Sequence, residues 1–349
     1  MNALFNLKTN GRSACVQLEG LRAFGVILVV MSHVDILNQG GIGNAIFYCL
    51  GGFLALNPFR DLNETNFRRK EDILNYYKRR ALRILPVYYI VLFLVNVLTL
   101  GKTMSLFQLL GCVFFFNSYH HLWFIQQMMF MYLLTPLIMR IMLFLKEKSS
   151  LFRSDLFCFL FVLLVSVCLR LTLNVKYVFL PKDGSRNEFR IWQYTAGIAF
   201  AYLYRWLKNH VLKEHQASPL LCGTISALCL LAGILSSDTF LQMYDPRFAG
   251  FYVGWRFPLT CSIVSGICII ALCAEGRNAV SRLLQTDLCL FIGKYSFNIY
   301  LIHYFLLPYI GGMNRFARFI IVFVITLVLA VLVQAAADSL VNRVMKKRV

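Results

Sequence analysis

The chain has 349 residues, of which 59% are hydrophobic and only 15% charged, with a mean hydropathy of +0.65. A soluble domain of this length carries about 25% charge, so the composition excludes an ordinary soluble globule. The net charge of +19 would suit nucleic acid or an anionic membrane face, but most of it is assigned to topology, and no nucleic-acid partner is expected.

The apolar residues come in long blocks such as Ile84–Leu100, Leu156–Leu173, Leu220–Leu235 and Phe319–Val333. Lipid requires every backbone polar group to be satisfied inside the segment or in a closed barrel. Blocks of roughly 17–25 apolar residues match a hydrocarbon core of about 30 Å at 1.5 Å per residue. The expected fold is therefore all-α, a polytopic integral membrane helix bundle forming one domain over residues 1–349. Spans are predicted near 20–38, 41–57, 81–100, 122–145, 156–174, 190–207, 219–236, 257–274, 288–310 and 316–340. The stretch Ser105–Asn117 is apolar but covers only about 20 Å as a helix, so it reads as re-entrant or interfacial. The first block is not expected to be a cleavable signal peptide. It carries Arg22 and His33, lacks a small-residue cleavage site, and runs straight into another apolar segment.

Orientation follows from lysine and arginine. With the N-terminus inside, 24 basic residues fall on the cytoplasmic side and nine outside, leaving Arg170 and Lys294 within spans. The bias predicts both termini inside, in keeping with an even number of spans. The eleven cysteines lie mostly within apolar segments, with no CxxC pair and no zinc-ligand spacing. They read as small buried hydrophobes, and no metal site is expected.

Ionisable residues inside spans are expensive, and are functional hypotheses by default. Arg22 and His33 lie eleven residues apart in the first span, about 16 Å along a helix and within roughly 20° of one face. A histidine there can also be a hydrogen-bonded packing residue, and an arginine at a span end can be a topology charge. His120 and His121 open the fourth span from outside, followed by Trp123, and His303 lies in the outer half of the ninth near Tyr300. Trp123 and Tyr304 also suit an interfacial aromatic belt. Arg79, Arg80 and Arg83 mark the inner end of the third span. The pattern is a basic inner mouth with a histidine-bearing outer chamber. Arginine clusters bind phosphates, and a histidine can deprotonate a hydroxyl. A long phosphorylated donor, such as coenzyme A with its pantetheine arm, would roughly fit the separation from Arg22 to His33.

These residues resemble the acyltransferase-3 family of membrane O-acyltransferases. Leu18-Glu19-Gly20-Leu21-Arg22 with His33 resembles its Arg-(ten residues)-His motif, and Gly51-Gly52-Phe53-Leu54 its Ser-Gly-Phe-Leu element. Tyr77-Lys78-Arg79-Arg80-Ala81-Leu82-Arg83-Ile84-Leu85-Pro86 is similar to its Arg-Arg-x-x-Arg-Ile-x-Pro stretch. His121-Leu122-Trp123, Tyr132-Leu133-Leu134-Thr135-Pro136-Leu137 and Tyr295-Ser296 with Tyr300-Leu301-Ile302-His303 resemble three later motifs. The likeness runs over about residues 17–340. It implies transfer of an acyl group, commonly acetyl, from cytoplasmic acyl-CoA to a sugar hydroxyl of a surface or lipid-linked glycan. Acyl-CoA would be a co-substrate, with no permanently bound cofactor. By the resemblance, His33 is the catalytic base and Arg22, Arg80 and Arg83 assist donor binding; the histidine-bearing outer chamber read from the residues, with His121, Trp123, Tyr300 and His303, is the candidate substrate chamber. Many relatives carry Ser-x-Glu-Glu-Gln after the His-Leu-Trp; here Gln126 and Gln127 stand nearby and no glutamate follows, so the resemblance supplies no acidic helper there. Gly51 replaces the usual serine, a change expected to loosen helix packing only. Asp35, two residues beyond His33, points to another helix face and is not expected to orient it.

Two other classes compete with the enzyme. A transporter or flippase for an anionic or glycan substrate also uses a basic mouth and intramembrane polar residues, but no two-half repeat or pair of broken helices is visible. A membrane scaffold would use the same polar residues only to stitch helices.

Overall fold

Helices carry the fold, as the hydropathy requires. A computed structural model of the chain describes residues 15–37, 40–56, 64–98, 104–172, 190–213, 217–235 and 257–346. In chain order they form α1 (Gln17–His33), α2 (Gly40–Leu56), α3 (Lys70–Leu98), α4 (Leu106–Val113), α5 (Trp123–Lys148) and α6 (Asp155–Thr172). Then come α7 (Ile191–His210), α8 (Pro219–Leu235), α9 (Phe257–Ala274), α10 (Ala279–Leu284), α11 (Asp287–Leu306) and α12 (Arg315–Lys346). Among the described residues there is no strand. Each predicted span overlaps one helix over the described residues, and α4 and α10 are further short ones.

By length and composition, Lys70–Leu98, His120–Lys148, Asp155–Thr172 and Arg315–Arg343 can cross a membrane. Gly40–Leu56, Pro219–Leu235 and Cys261–Ala274 are shorter apolar helices. The others are diluted by polar side chains, such as Glu19 and Arg22 in α1 and Lys294, Asn298 and His303 in α11.

Several boundaries differ from the hydropathy reading, those of α1, α3 and α4 among them. The first span was expected to run to residue 38, but α1 ends at His33. Asp35 takes a left-handed φ of 57°, and the Ile36 N–H donates back to the Met31 carbonyl at 3.1 Å, a Schellman-type closure. Asp35 therefore lies beyond α1 and on none of its faces. At the other extreme, α3 begins at Lys70 rather than near 81. Its first turn carries Glu71 and Asp72, which complement the helix dipole. The apolar stretch 105–117 yields only the eight residues of α4, about 12 Å long. A capping box between Ser105 and Gln108 starts it, and Phe115 at φ 60° closes it.

The helices group into two compact units. The first comprises α1, α2, residues 139–148 of α5, α6 to α10, and residues 287–296 of α11. The second comprises α3, α4, residues 123–138 of α5, residues 297–306 of α11, and α12.

In the first unit α7 is the core helix, with Trp192, Tyr194, Ile198 and Tyr202 all buried. It lies antiparallel to α6, with Arg170 over the Trp192 ring, Ser166 hydrogen-bonded to Thr195 at 2.8 Å, and Phe159 against Phe200. On its other side α2 approaches to backbone contact. A Cβ on Gly52 would stand 1.9 Å from the Tyr194 carbonyl oxygen, and one on Gly197 2.2 Å from that of Cys49. Small residues at helix crossings allow this approach in membrane bundles. The same device seats α1, where Gly43 meets the Gly25 carbonyl and Gly293 of α11 meets that of Glu19.

In the second unit, the hydroxyls of Tyr88 and Tyr89 on α3 donate to the carbonyls of Cys112 and Val113 at 3.0 and 3.1 Å. The carbonyls at the end of α4 thereby gain partners from α3, that of Cys112 in addition to the Phe115 N–H at 3.2 Å. Asn298 of α11 donates to the Ala330 carbonyl and to Gln334 of α12 at 2.9 and 3.0 Å.

Candidate active site

Arg22 and His33 share α1, in the first unit. The Arg22 side chain is only 13% exposed, and its Nη1 donates to Glu19 one turn earlier at 2.5 Å. A cation this buried needs such a partner, and the sequence reading did not assign one. The crossings at Gly20 and Gly293 hold this turn against α10 and α11. His33 occupies the last turn of α1, half-buried, with its Nδ1 2.8 Å from the Val29 carbonyl oxygen. A carbonyl only accepts, so Nδ1 carries the proton, and in the neutral ring Nε2 is the basic nitrogen. Helix spacing produces this directly, because Val29 stands four residues before His33.

Arg80 and Arg83 lie on α3 in the second unit. The Arg80 guanidinium stacks on Tyr76 of its own helix at 5.4 Å and on Tyr132 of α5 at 4.7 Å. Stacking engages the faces of the planar group, whose N–H donors lie along its edges. The Tyr77 hydroxyl donates to the Leu133 carbonyl at 2.9 Å, tying α3 to α5 beside this stack. Arg83 is exposed, one turn further along.

His121, Tyr300 and His303 also come together in the second unit. His121 Nε2 donates to the Leu301 carbonyl at 3.1 Å, and the Tyr300 hydroxyl returns a bond to the His121 carbonyl at 2.9 Å. His303 Nδ1 donates to its own helix, at Tyr300 and Ile299. The two imidazoles meet edge to face, with centroids 5.2 Å apart. Both are buried, as is Tyr300, so the reciprocal bonds clamp the start of α5 to α11. Trp123 is half-buried, its ring edge-on to Phe124.

A second charged centre escaped the sequence reading, which counted its cations as topology markers. In the first unit Arg205 of α7 grips Asp155 of α6 with two hydrogen bonds, Nε to Oδ2 at 2.8 Å and Nη2 to Oδ1. Lys146 of α5 reaches Glu64 at 3.1 Å and Asp155 at 3.2 Å, and Arg205 also faces Glu64 at 3.4 Å. Tyr202 lies between the two cations, each about 5 Å from its ring. Burial pushes the Glu64 carboxyl up, but Arg205, Lys146 and the Tyr202 hydroxyl outweigh it and hold the group below its ordinary range. Two cations meet two carboxylates, so the cluster is neutral and serves as a clamp.

The structure thus joins Arg22 and His33 on one helix of the first unit. It joins His121, Tyr300 and His303 within the second, where Arg80, Arg83 and Trp123 also lie. Comparison with known proteins gives these positions a context. The acyltransferase-3 family model, described as an acyltransferase domain, matches residues 16–335. An O-acetyltransferase OatA of Staphylococcus aureus is 24% identical over 329 residues, covering 84% of this chain and 51% of that protein. A peptidoglycan O-acetyltransferase OatA of Listeria monocytogenes is 22% identical over 320 residues, covering 82% of this chain and 48% of that protein. The chain therefore spans about half the length of the curated relatives it matches. No solved structure matches it. With the family model, described as an acyltransferase domain, matched over nearly the whole chain, the protein belongs to the acyltransferase-3 family.

Proposed function

We propose that this chain is a membrane O-acyltransferase that moves an acetyl group from cytoplasmic acetyl-CoA to a sugar hydroxyl of a surface or lipid-linked glycan. The observation that carries this is the His33 geometry, in which the Val29 bond leaves Nε2 as the basic nitrogen. The names of the relatives, both O-acetyltransferases and one a peptidoglycan O-acetyltransferase, support the reaction and acceptor class. In this scheme His33 Nε2 takes the proton of the acceptor hydroxyl as its oxygen attacks the thioester carbonyl carbon. The tetrahedral adduct collapses, the carbon–sulfur bond breaks, and the proton passes from His33 to the departing thiolate. Arg22, Arg80 and Arg83 assist donor binding through its phosphates. His121, Trp123, Tyr300 and His303 shape the wall of the acceptor chamber. The bundle crosses a bacterial cytoplasmic membrane ten times with both termini inside, as the basic-residue bias supports. Arg22 and His33 are then about 16 Å apart along one helix, a span suited to a pantetheine arm.

The test compares surface glycans of a deletion strain complemented with the parent chain or with His33→Ala. The expected result is glycan at normal abundance lacking one acetyl group per modified sugar. Loss of the glycan itself from the surface would refute the enzyme and favour export.

A further inference from the structure

The first unit contains an apolar cavity of about 190 Å³ bounded by α1, α2, α8 and α9. Its walls include Leu21 and Phe24 of α1, Ile46 of α2, Cys229 of α8 and Val264 of α9. At about 100° per residue, Leu21 lies roughly 100° from Arg22 and Phe24 roughly 160° from it, on the same flank, whereas His33 returns to within about 20° of Arg22. The cavity thus faces the back of the helix that bears the candidate catalytic pair. A donor or acceptor bound along the Arg22–His33 face does not enter it.

The rim shows what does. Ala232 of α8 lines the cavity and is itself exposed. It adjoins Leu228, Leu231 and Leu235, which are 59%, 48% and 47% exposed and follow one another at helical spacing. Such a stripe on a membrane bundle faces hydrocarbon, so the cavity opens onto lipid rather than water. Its volume exceeds the roughly 150 Å³ of an engineered apolar cavity that takes up benzene. That is room for the end of one aliphatic chain, and far too little for a headgroup.

We propose that this cavity binds the end of one acyl tail of a bilayer glycerophospholipid, inserted past Ala232 between α8 and α9 against the back of α1. The bound tail supplies the packing that side chains leave undone and braces the helix carrying Arg22 and His33. The inference does not depend on the acyl-transfer reading, because its readout is lipid occupancy.

The test uses the full chain reconstituted in phosphatidylcholine vesicles containing a trace of phospholipid with a diazirine at the tail terminus. After irradiation, adducts are mapped by peptide mass spectrometry. Adducts are expected on cavity residues of α8 and α9, Cys229 and Val264 among them. Cys229→Phe fills the space and should lower those adducts at least tenfold, whereas Leu231→Phe on the exposed stripe should leave them unchanged. If Cys229→Phe fails to fold, Val264→Phe fills the same space from α9. Adducts confined to Leu228, Leu231 and Leu235 would overturn the proposal, since they report lipid around the protein and not within it. Labelling of the cavity by a diazirine-bearing isoprenoid but not by the phospholipid would also overturn it, and would assign the site to a lipid-linked acceptor.

Discussion

Arg205→Ala offers the sharpest physical test of the first unit. The substitution leaves the Glu64 and Asp155 carboxylates, 3% and 15% exposed, facing Lys146 alone. One buried negative charge is then uncompensated. Breaking a buried pair from one side costs about 3–5 kcal/mol, because the remaining charge keeps its desolvation penalty. For a body of this size each kcal/mol moves the melting temperature by about 2–4 °C, so a fall on the order of 10 °C is expected. Thermal unfolding in detergent, followed by tryptophan fluorescence, measures it. The double variant Arg205→Leu with Asp155→Leu removes one charge of each sign and leaves Lys146 with Glu64. It should recover more than half of the loss. A single variant melting within a degree or two of the parent would refute the reasoning, as would a double variant less stable than the single.

The same cluster predicts a pH response. The Glu64 carboxyl is held below its ordinary value of 4.5, so its contribution is complete above that pH and fades as the pH falls through the lowered value. Glu64→Gln should blunt the drop in melting temperature below about pH 4.5 while lowering stability at neutrality. Gly52→Ala would drive a methyl group to 1.9 Å from the Tyr194 carbonyl oxygen and should cost about 1–3 kcal/mol. Gly311→Ala, with nothing within 4 Å of the new Cβ, should shift stability by no more than about 0.5 kcal/mol in the same melting assay. Arg80→Lys keeps the charge but loses the planar stack on Tyr76 and Tyr132. Acetyl-CoA binding by calorimetry should weaken on this change, and further with Arg80→Ala.

Hydropathy located the helices because apolar length is a local property of the chain. Their ends were harder to place. Asp35 closes α1 in a left-handed conformation usually filled by glycine, and no residue type flags it. The early start of α3 was hidden because its first turns are charged and exposed, as a helix protruding from an apolar layer must be. Arg22 and His33 were visible from their spacing, as both lie on one element. The partners of Arg205 were not, because Asp155 is 50 positions away and Glu64 comes from a short turn before α3. Counting cations by side orients a chain, but it cannot say which of them are neutralised inside.

The position of His33 at the end of α1, rather than inside a longer span, bears on the proposed chemistry. The last turn of a helix carries the negative end of the dipole, which favours a cation there by about 0.3–1 kcal/mol, and up to about 2 when partly buried. In the proposed reaction His33 is neutral before proton transfer and imidazolium after it, so the helix end stabilises the charge as it develops. The Val29 carbonyl adds to this, since it accepts from Nδ1 in both states and the bond strengthens when the ring is charged. Elsewhere a carboxylate commonly fixes the tautomer of a catalytic histidine. Here a backbone carbonyl four residues earlier does so, and its geometry is set by the helix itself. His33→Ala should therefore lower the turnover rate by about 10²–10⁴, the usual share of general base catalysis. Ser32→Pro leaves the imidazole present but removes an N–H from the last turn and disturbs the residue before it. It should lower turnover with little change in acetyl-CoA binding. Full activity in that variant would show that the ring does not depend on the helix end for its orientation.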